Sequence, residues 1–225
     1  AILDFGGLHC HIGSQIFGTA GFRESAARLL ELHEELSLTG PVPILNLGGG
    51  LGVRYRDEET IDPYAYALAV RQALGSRRQE LVFEPGRFLV GAAGVLLTRV
   101  VYLKPGAGHD FAIVDAAMND LLRPALYDAW HAVEPVRPRA GPTRRWQIVG
   151  PVCESGDFLA RDRLLALAEG DLLAVRAAGA YGFVMSSNYN SRPRACEVVV
   201  DGDRAHLCRP RERVEDLFAH ESLLP

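Results

Sequence analysis

Lysine is almost absent from this chain: of 24 basic residues among 225, only Lys104 is a lysine and the rest are arginines. Chemistry that needs an amine nucleophile therefore has a single candidate here. Cysteine is sparse as well. Cys10, Cys153, Cys196 and Cys208 stand far apart with no CxxC pair, which excludes a disulfide scaffold and reads as free thiols in a reducing compartment. No apolar run approaches the roughly 18 residues of a membrane span; the nearest, residues 88–97, is interrupted by Gly91 and Gly94. Excess charge is missing too, since a formal net charge of −4 offers no general attraction to nucleic acid or anionic membrane. The text begins with Ala1 rather than Met and shows no basic, apolar leader, so the expected setting is the cytoplasm. What remains is an ordinary globular balance of 48% apolar and 23% charged residues, enough for a buried core.

The first part of the chain alternates short apolar runs with amphipathic stretches. Residues 7–14 read as a strand ending in polar residues. Phe22, Ala26, Leu29, Leu30, Leu32 and Leu36 then recur at helical spacing. A second strand is expected at residues 44–47, running into Gly48, Gly49 and Gly50. A second helix is expected over 61–74, opened by Asp62 and Pro63 in cap and first-turn order. A third strand at 81–83 ends in Glu84, Pro85, Gly86 and Arg87. Strand, helix, strand, helix, strand is the pattern of parallel β/α units, and each strand here ends in chemically loaded residues.

After about Gly94 the rhythm becomes β-rich, with strands expected at 95–103, 111–114, 146–149, 172–176 and 195–200. A hairpin turn at Asp201 and Gly202 leads into 204–208. Residues 136–145 read as an exposed loop and 213–220 as a terminal helix. The expected fold is thus α/β plus β: residues 1–93 as the later strands and helices of an incomplete (β/α)8 barrel, and 94–225 as a mostly β domain of sandwich or barrel type. Three parallel strands would leave an open edge, so the upstream part of the barrel is expected to lie outside this chain.

Several residue groups could carry chemistry. His9 and His11, two apart on a strand, share a face; one is read as packed and the other hydrogen-bonded, or the pair suits a metal, or one imidazole stacks on a flat cofactor with Ser14 on an anionic group. The glycine run permits positive φ and convergent amide donors for a phosphate, though it serves equally as a tight turn. Glu84 and Arg87 form either an internal ion pair or a division of labour, with Arg87 on a phosphate and Glu84 on a protonated ring nitrogen. Arg123 and Tyr127 are either a surface arginine and a packed tyrosine or a pair suited to a carboxylate. Cys153 lies beside Glu154 in a turn rich in glycine and acid; a buried inert thiol is the default reading, but in such a turn a protonated thiol could act as a general acid.

In their order, HCHIGS (9–14), LNLGGGLG (45–52), EPGR (84–87), AMNDLLRPALYDAWH (117–131), GPVCESGD (150–157) and GAYGFVMSSNYNSRP (179–193) resemble the fold-type III pyridoxal-phosphate decarboxylases, and within them the branch that acts on diaminopimelate. The resemblance implies pyridoxal 5′-phosphate as cofactor, with His11 stacked on its ring, Ser14, Gly49, Gly50, Arg87 and Tyr181 around its phosphate, and Gly86 also among the cofactor-binding residues. Glu84 would pair with the ring nitrogen. Arg87, Arg123, Tyr127, Glu154 and Tyr181 would bind the amino-acid substrate, and Cys153 would be the proton donor. It also implies a homodimer in which the Cys153–Glu154 segment completes the neighbouring subunit's site, with no metal, nucleic acid or membrane as partner.

The chain departs from that pattern in one respect. Family members hold the cofactor through a lysine early in the barrel, and Lys104 lies instead in the β-rich part. The chain is therefore expected to be part of a longer decarboxylase and inactive alone; a homologue that lost catalysis for regulation is the other reading. A relative acting on ornithine or carboxynorspermidine is the alternative among enzymes, and Arg123 favours a substrate with a second carboxylate.

Overall fold

The computed structural model describes residues 4–77 and 79–224. The chain forms two compact units, Ala1–Gly91 and Ala92–Pro225. In the first, strands β1 (Gly7–His9), β2 (Ile44–Asn46) and β3 (Glu80–Val82) form a parallel sheet in the order β1-β2-β3. The β1–β2 connection carries helix α1 (Ala20–Ser37), and the β2–β3 connection carries α2 (Pro63–Leu74). Phe22, Ala26, Leu29, Leu30 and His33 form the buried face of α1, so the periodicity is as read, but His33 is buried and Leu32 is not. The His33 imidazole is accommodated at the Val42 carbonyl, 3.2 Å away.

Helix α2 begins where Asp62 accepts a hydrogen bond from the Tyr64 amide at 3.1 Å, with Pro63 in the first turn. It ends at Gly75, whose φ of +62° and ψ of −130° make a positive-φ conformation that glycine adopts without a Cβ clash. Tyr66 of α2 meets Phe22 of α1 edge-on with ring centroids 4.9 Å apart, and both pack over Leu45 of the central strand.

The first strand is shorter than expected. Backbone pairing continues only to the Cys10 amide, which donates to the Asn46 carbonyl at 2.9 Å, and residues 11–14 form a loop. Gly13 at φ +136° and Gln15 at φ +58° turn the chain there. A further short helix, α3 (Gly86–Val90), follows β3 directly where none was expected.

The second unit is built on a six-stranded mixed sheet. Its strands are β4 (Leu96–Lys104), β5 (Asp110–Val114), β6 (Val133–Pro135), β7 (Arg144–Val149), β8 (Phe158–Leu165) and β9 (Leu172–Val175), in the order β6-β9-β4-β5-β7-β8. Only β5 and β7 run parallel. Val100, Val114, Leu121, Trp146, Ile148, Leu159 and Leu173 make its core. A short helix, α4 (Arg123–Tyr127), enters that unit between β5 and β6.

Strands β6 and β8 went unread in the sequence. The first is a three-residue edge strand closed by Pro135, the position where a strand tolerates proline. The second contains Arg161, Asp162 and Arg163, and its pairing with β7 is interrupted by register shifts with Asp162 at φ +56°, which breaks the alternation. The separate hairpin of β10 (Glu197–Asp201) and β11 (Arg204–Arg209) turns at Gly202 and Asp203, one residue later than expected. The terminal segment makes a 3-10 turn over Val214–Phe218 rather than an α-helix. Lys104 is exposed at the end of β4.

Candidate active site

In the first unit the segments that follow the three strands interlock. The Glu84 amide donates to the Gly48 carbonyl at 2.7 Å, and a Cβ on Gly49 would overlap the Glu84 carbonyl oxygen. A Cβ on Gly50, at φ +109°, would lie 2.5 Å from the Gly13 carbonyl oxygen. Glycine at both positions is therefore a packing requirement: the loop after β2 lies between the loops after β1 and β3.

Asn46 sits at the centre of this arrangement. Its Oδ1 accepts from the Gly48 amide at 2.8 Å and its Nδ2 donates to Glu84 Oε1 at 2.8 Å. The other carboxylate oxygen of Glu84 lies 3.4 Å from His9 Nε2. Foremost through the Asn46 hydrogen bond, and then through the nearby imidazoles of His9 and His11, the Glu84 carboxyl is held below the usual range, so that it stands ready as an anion.

His11 faces differently. Its Nδ1 accepts from the Gly49 amide at 3.1 Å, which assigns its proton to Nε2. The two histidines do not share a strand face, because β1 ends at His9. Arg87, on α3, donates from Nη1 to the Tyr55 hydroxyl at 2.8 Å and from Nη2 to Ser14 Oγ at 3.2 Å.

Glu84, Arg87, Ser14 and the glycine loop are thus brought together in one cluster. The Gly49 amide is engaged by His11, and the Gly86 amide donates to the Glu84 carbonyl at 2.8 Å, so neither is set out toward an anion. The Gly50 amide carries no hydrogen bond among the described residues. The Gly50 amide, the Ser14 hydroxyl and the Arg87 guanidinium are the other donor groups of this cluster. Glu84 and Arg87 do not pair with each other among the ion pairs of the described residues. Asn46 and Tyr55 were not singled out in the sequence. Asn46 carried a faint signal, since it immediately precedes the glycine run.

In the second unit, Arg123 opens α4 and is only 7% exposed. Its Nη1 lies 3.0 Å from Nε2 of the fully buried His131. Tyr127, one turn later, is exposed. Cys153 and Glu154 lie on an exposed loop between β7 and β8. That loop closes on Asp157, which is buried and accepts from the Val152 amide at 2.8 Å and the Met118 amide at 2.7 Å. Burial raises the Asp157 carboxyl above its ordinary value despite those two donors.

Glu154 accepts from the Gly156 amide at 3.2 Å and the Tyr189 hydroxyl at 3.3 Å. The segment bearing Tyr189 is tied to the 117–131 motif. Arg192 donates to Asn119 Oδ1 at 2.9 Å and to the Asp115 carbonyl at 2.6 Å, and the Ser187 amide donates to the Asn119 carbonyl at 2.9 Å. Tyr181 is partly exposed at φ +57°, between the buried Ala180 and Gly182.

The pattern of β/α units with loaded strand ends, followed by a mostly β unit, is that of a pyridoxal-dependent decarboxylase. The sequence profile described as "Pyridoxal-dependent decarboxylase, C-terminal sheet domain" matches residues 12–179, and the chain belongs to that family. At the level of individual proteins, it is 61% identical over 220 residues to a diaminopimelate decarboxylase of Pseudomonas aeruginosa, covering 97% of this chain and 53% of that relative. The structure of diaminopimelate decarboxylase from Helicobacter pylori complexed with L-lysine superposes with a TM-score of 0.90 at 39% identity, over 95% of this chain and 54% of that one. A lysine/ornithine decarboxylase from Vibrio vulnificus complexed with cadaverine is more distant, with a TM-score of 0.76 at 26% identity over 84% and 53%. The chain spans about half the length of the relatives it matches.

Proposed function

We propose that these residues serve the decarboxylation of meso-diaminopimelate to L-lysine, a carboxy-lyase reaction that ends lysine biosynthesis, in a cytoplasmic homodimer. The observation that carries the reading is the cluster in the first unit, where a carboxylate kept ionised by Asn46 shares one set of loops with the donors of Gly50, Ser14 and Arg87. That donor set fits pyridoxal phosphate, which asks for an anion beside its ring nitrogen and several donors around its phosphate. The greater similarity to diaminopimelate than to lysine/ornithine decarboxylases supports the substrate.

Bound pyridoxal phosphate supplies an electron sink for the pair left behind when carbon dioxide departs. Glu84 favours the protonated ring nitrogen on which that sink depends. His11, its ring edge fixed by the Gly49 amide, offers a flat face to the ring. Ser14, Gly50 and Arg87 hold the phosphate, and Arg87 also contributes to substrate binding. Arg123 and Tyr127 grip the carboxylate at the far end of the substrate, and Glu154 takes its ammonium group. Cys153 Sγ delivers the proton to the carbon that lost carbon dioxide, from a loop completing the neighbouring subunit's site. The lysine that holds the cofactor belongs, in this reading, to sequence outside these 225 residues, since Lys104 is on β4.

The test is Glu84→Gln in the full-length holoenzyme. Carbon dioxide release from meso-diaminopimelate should fall by roughly 100-fold while pyridoxal phosphate is still retained, the size of effect general acid–base and charge partners commonly have. Unchanged turnover would remove Glu84 from the role assigned to it and the proposal with it.

A further inference from the structure

We propose that His131 is a positioning residue that fixes Arg123 and thereby sets selectivity for the substrate's far carboxylate; this rests on the assignment of Arg123 above. His131 is fully buried and both of its ring nitrogens are specified. A guanidinium only donates, so His131 Nε2, 3.0 Å from Arg123 Nη1, is the bare acceptor nitrogen. The proton is then on Nδ1, which donates to the Arg176 carbonyl at 2.8 Å. The ring is neutral, and the backbone of β9's C-terminal neighbour fixes its plane.

The identity of the partner matters as much as its position. A carboxylate at that place would orient Arg123 and also cancel its charge, weakening its attraction for an anion. An imidazole in this tautomer satisfies one guanidinium donor without itself placing a negative charge beside it. Arg123 is itself 7% exposed at the first position of α4, directly before Pro124, so its long side chain has little freedom once that contact is made. His131 thus acts through Arg123 rather than on the reacting atoms. A hydrogen bond to a charged group contributes enough to be read as a tenfold or larger change in affinity.

L-Lysine keeps the far carboxylate and cadaverine lacks it, so a pair of competitive ligands isolates the effect. In the full-length holoenzyme, His131→Leu should weaken L-lysine inhibition and raise KM for meso-diaminopimelate by roughly tenfold, with kcat changed by less than about threefold. Inhibition by cadaverine and the cofactor absorbance should be unchanged. His131→Gln, whose amide oxygen can replace Nε2 as acceptor, should restore L-lysine inhibition to within about threefold of wild type. Equal weakening of L-lysine and cadaverine, no weakening of either, or failure of Gln to rescue would overturn the role of His131. Arg123→Ala is the control for the underlying reading: if it does not separate L-lysine from cadaverine, the assignment of Arg123 fails, whatever His131 does.

Discussion

Asp157 offers the sharpest test of how the loop bearing Cys153 is held. The carboxylate is 3% exposed and spends one oxygen on the Met118 amide and the other on the Val152 amide, so it ties the loop after β7 to the segment after β5. Asp157→Ala strands both amides. Each bond from an amide to a carboxylate contributes about 1.5–3 kcal/mol, and an unsatisfied buried donor costs about 1–3 kcal/mol. The expected loss for alanine is about 4 kcal/mol.

Asp157→Asn keeps the shape and one acceptor oxygen, but turns an NH2 toward the second amide. Its cost is smaller for a further reason. Burial outweighs the two hydrogen bonds in raising the Asp157 carboxyl, so the charge itself is paid for by its surroundings, and a neutral amide recovers part of that cost. The expected loss for asparagine is about 2 kcal/mol.

Urea unfolding followed by tryptophan emission reads this unit, because both tryptophans, Trp130 and Trp146, lie in the second unit. With a slope of about 2 kcal/mol per molar urea, the midpoint should fall by about 1 M for asparagine and about 2 M for alanine. Equal midpoints for the two variants, or an alanine variant within about 0.2 M of wild type, would refute the reasoning.

Two other outcomes are expected. Glu212, bonded to Arg194 and Asn188, is lowered to about 2 from its ordinary 4.5, so its contribution to stability is complete above the unfolded value and is lost as pH falls through about 2. Glu212→Gln should therefore be less stable than wild type at neutral pH and converge with it in strong acid, as measured by unfolding midpoints across the acid range. Asn46→Leu removes the donor to Glu84 and the acceptor for the Gly48 amide together, so pyridoxal phosphate titration of the full-length enzyme should show roughly tenfold weaker binding.

Much of the fold was legible because local signals agreed with the tertiary outcome. The α1 periodicity and the Asp62–Pro63 start of α2 act within one turn of helix and need no distant partner. Strand β8 was hidden because its charged residues and its bulge break the period of two, which is the only local trace a strand leaves. Residues 11–14 were misread as strand for a related reason. Their composition permits extension, but pairing stops when the neighbouring strand turns at Gly48, an event in a different segment.

The candidate site divides along the same line. Residue types that announce chemistry, such as Glu84, Arg87, Arg123 and Cys153, stand out in a sequence because few structural needs call for them together. The residues that aim them do not. Asn46 reaches Glu84 across 38 positions, Tyr55 reaches Arg87 across 32, and Asp157 reaches Met118 across 39. Each is an ordinary polar side chain until the fold supplies its partner. His131 is the instructive intermediate case, only eight residues from Arg123. Even there the helical turn of α4 and the carbonyl of Arg176 are both needed before the ring can have only one tautomer. Candidates for chemistry-bearing groups can thus be picked out by residue type and order. Their orientation, and with it the choice between a neutral and a charged neighbour for Arg123, is a property of contacts that only the folded chain defines.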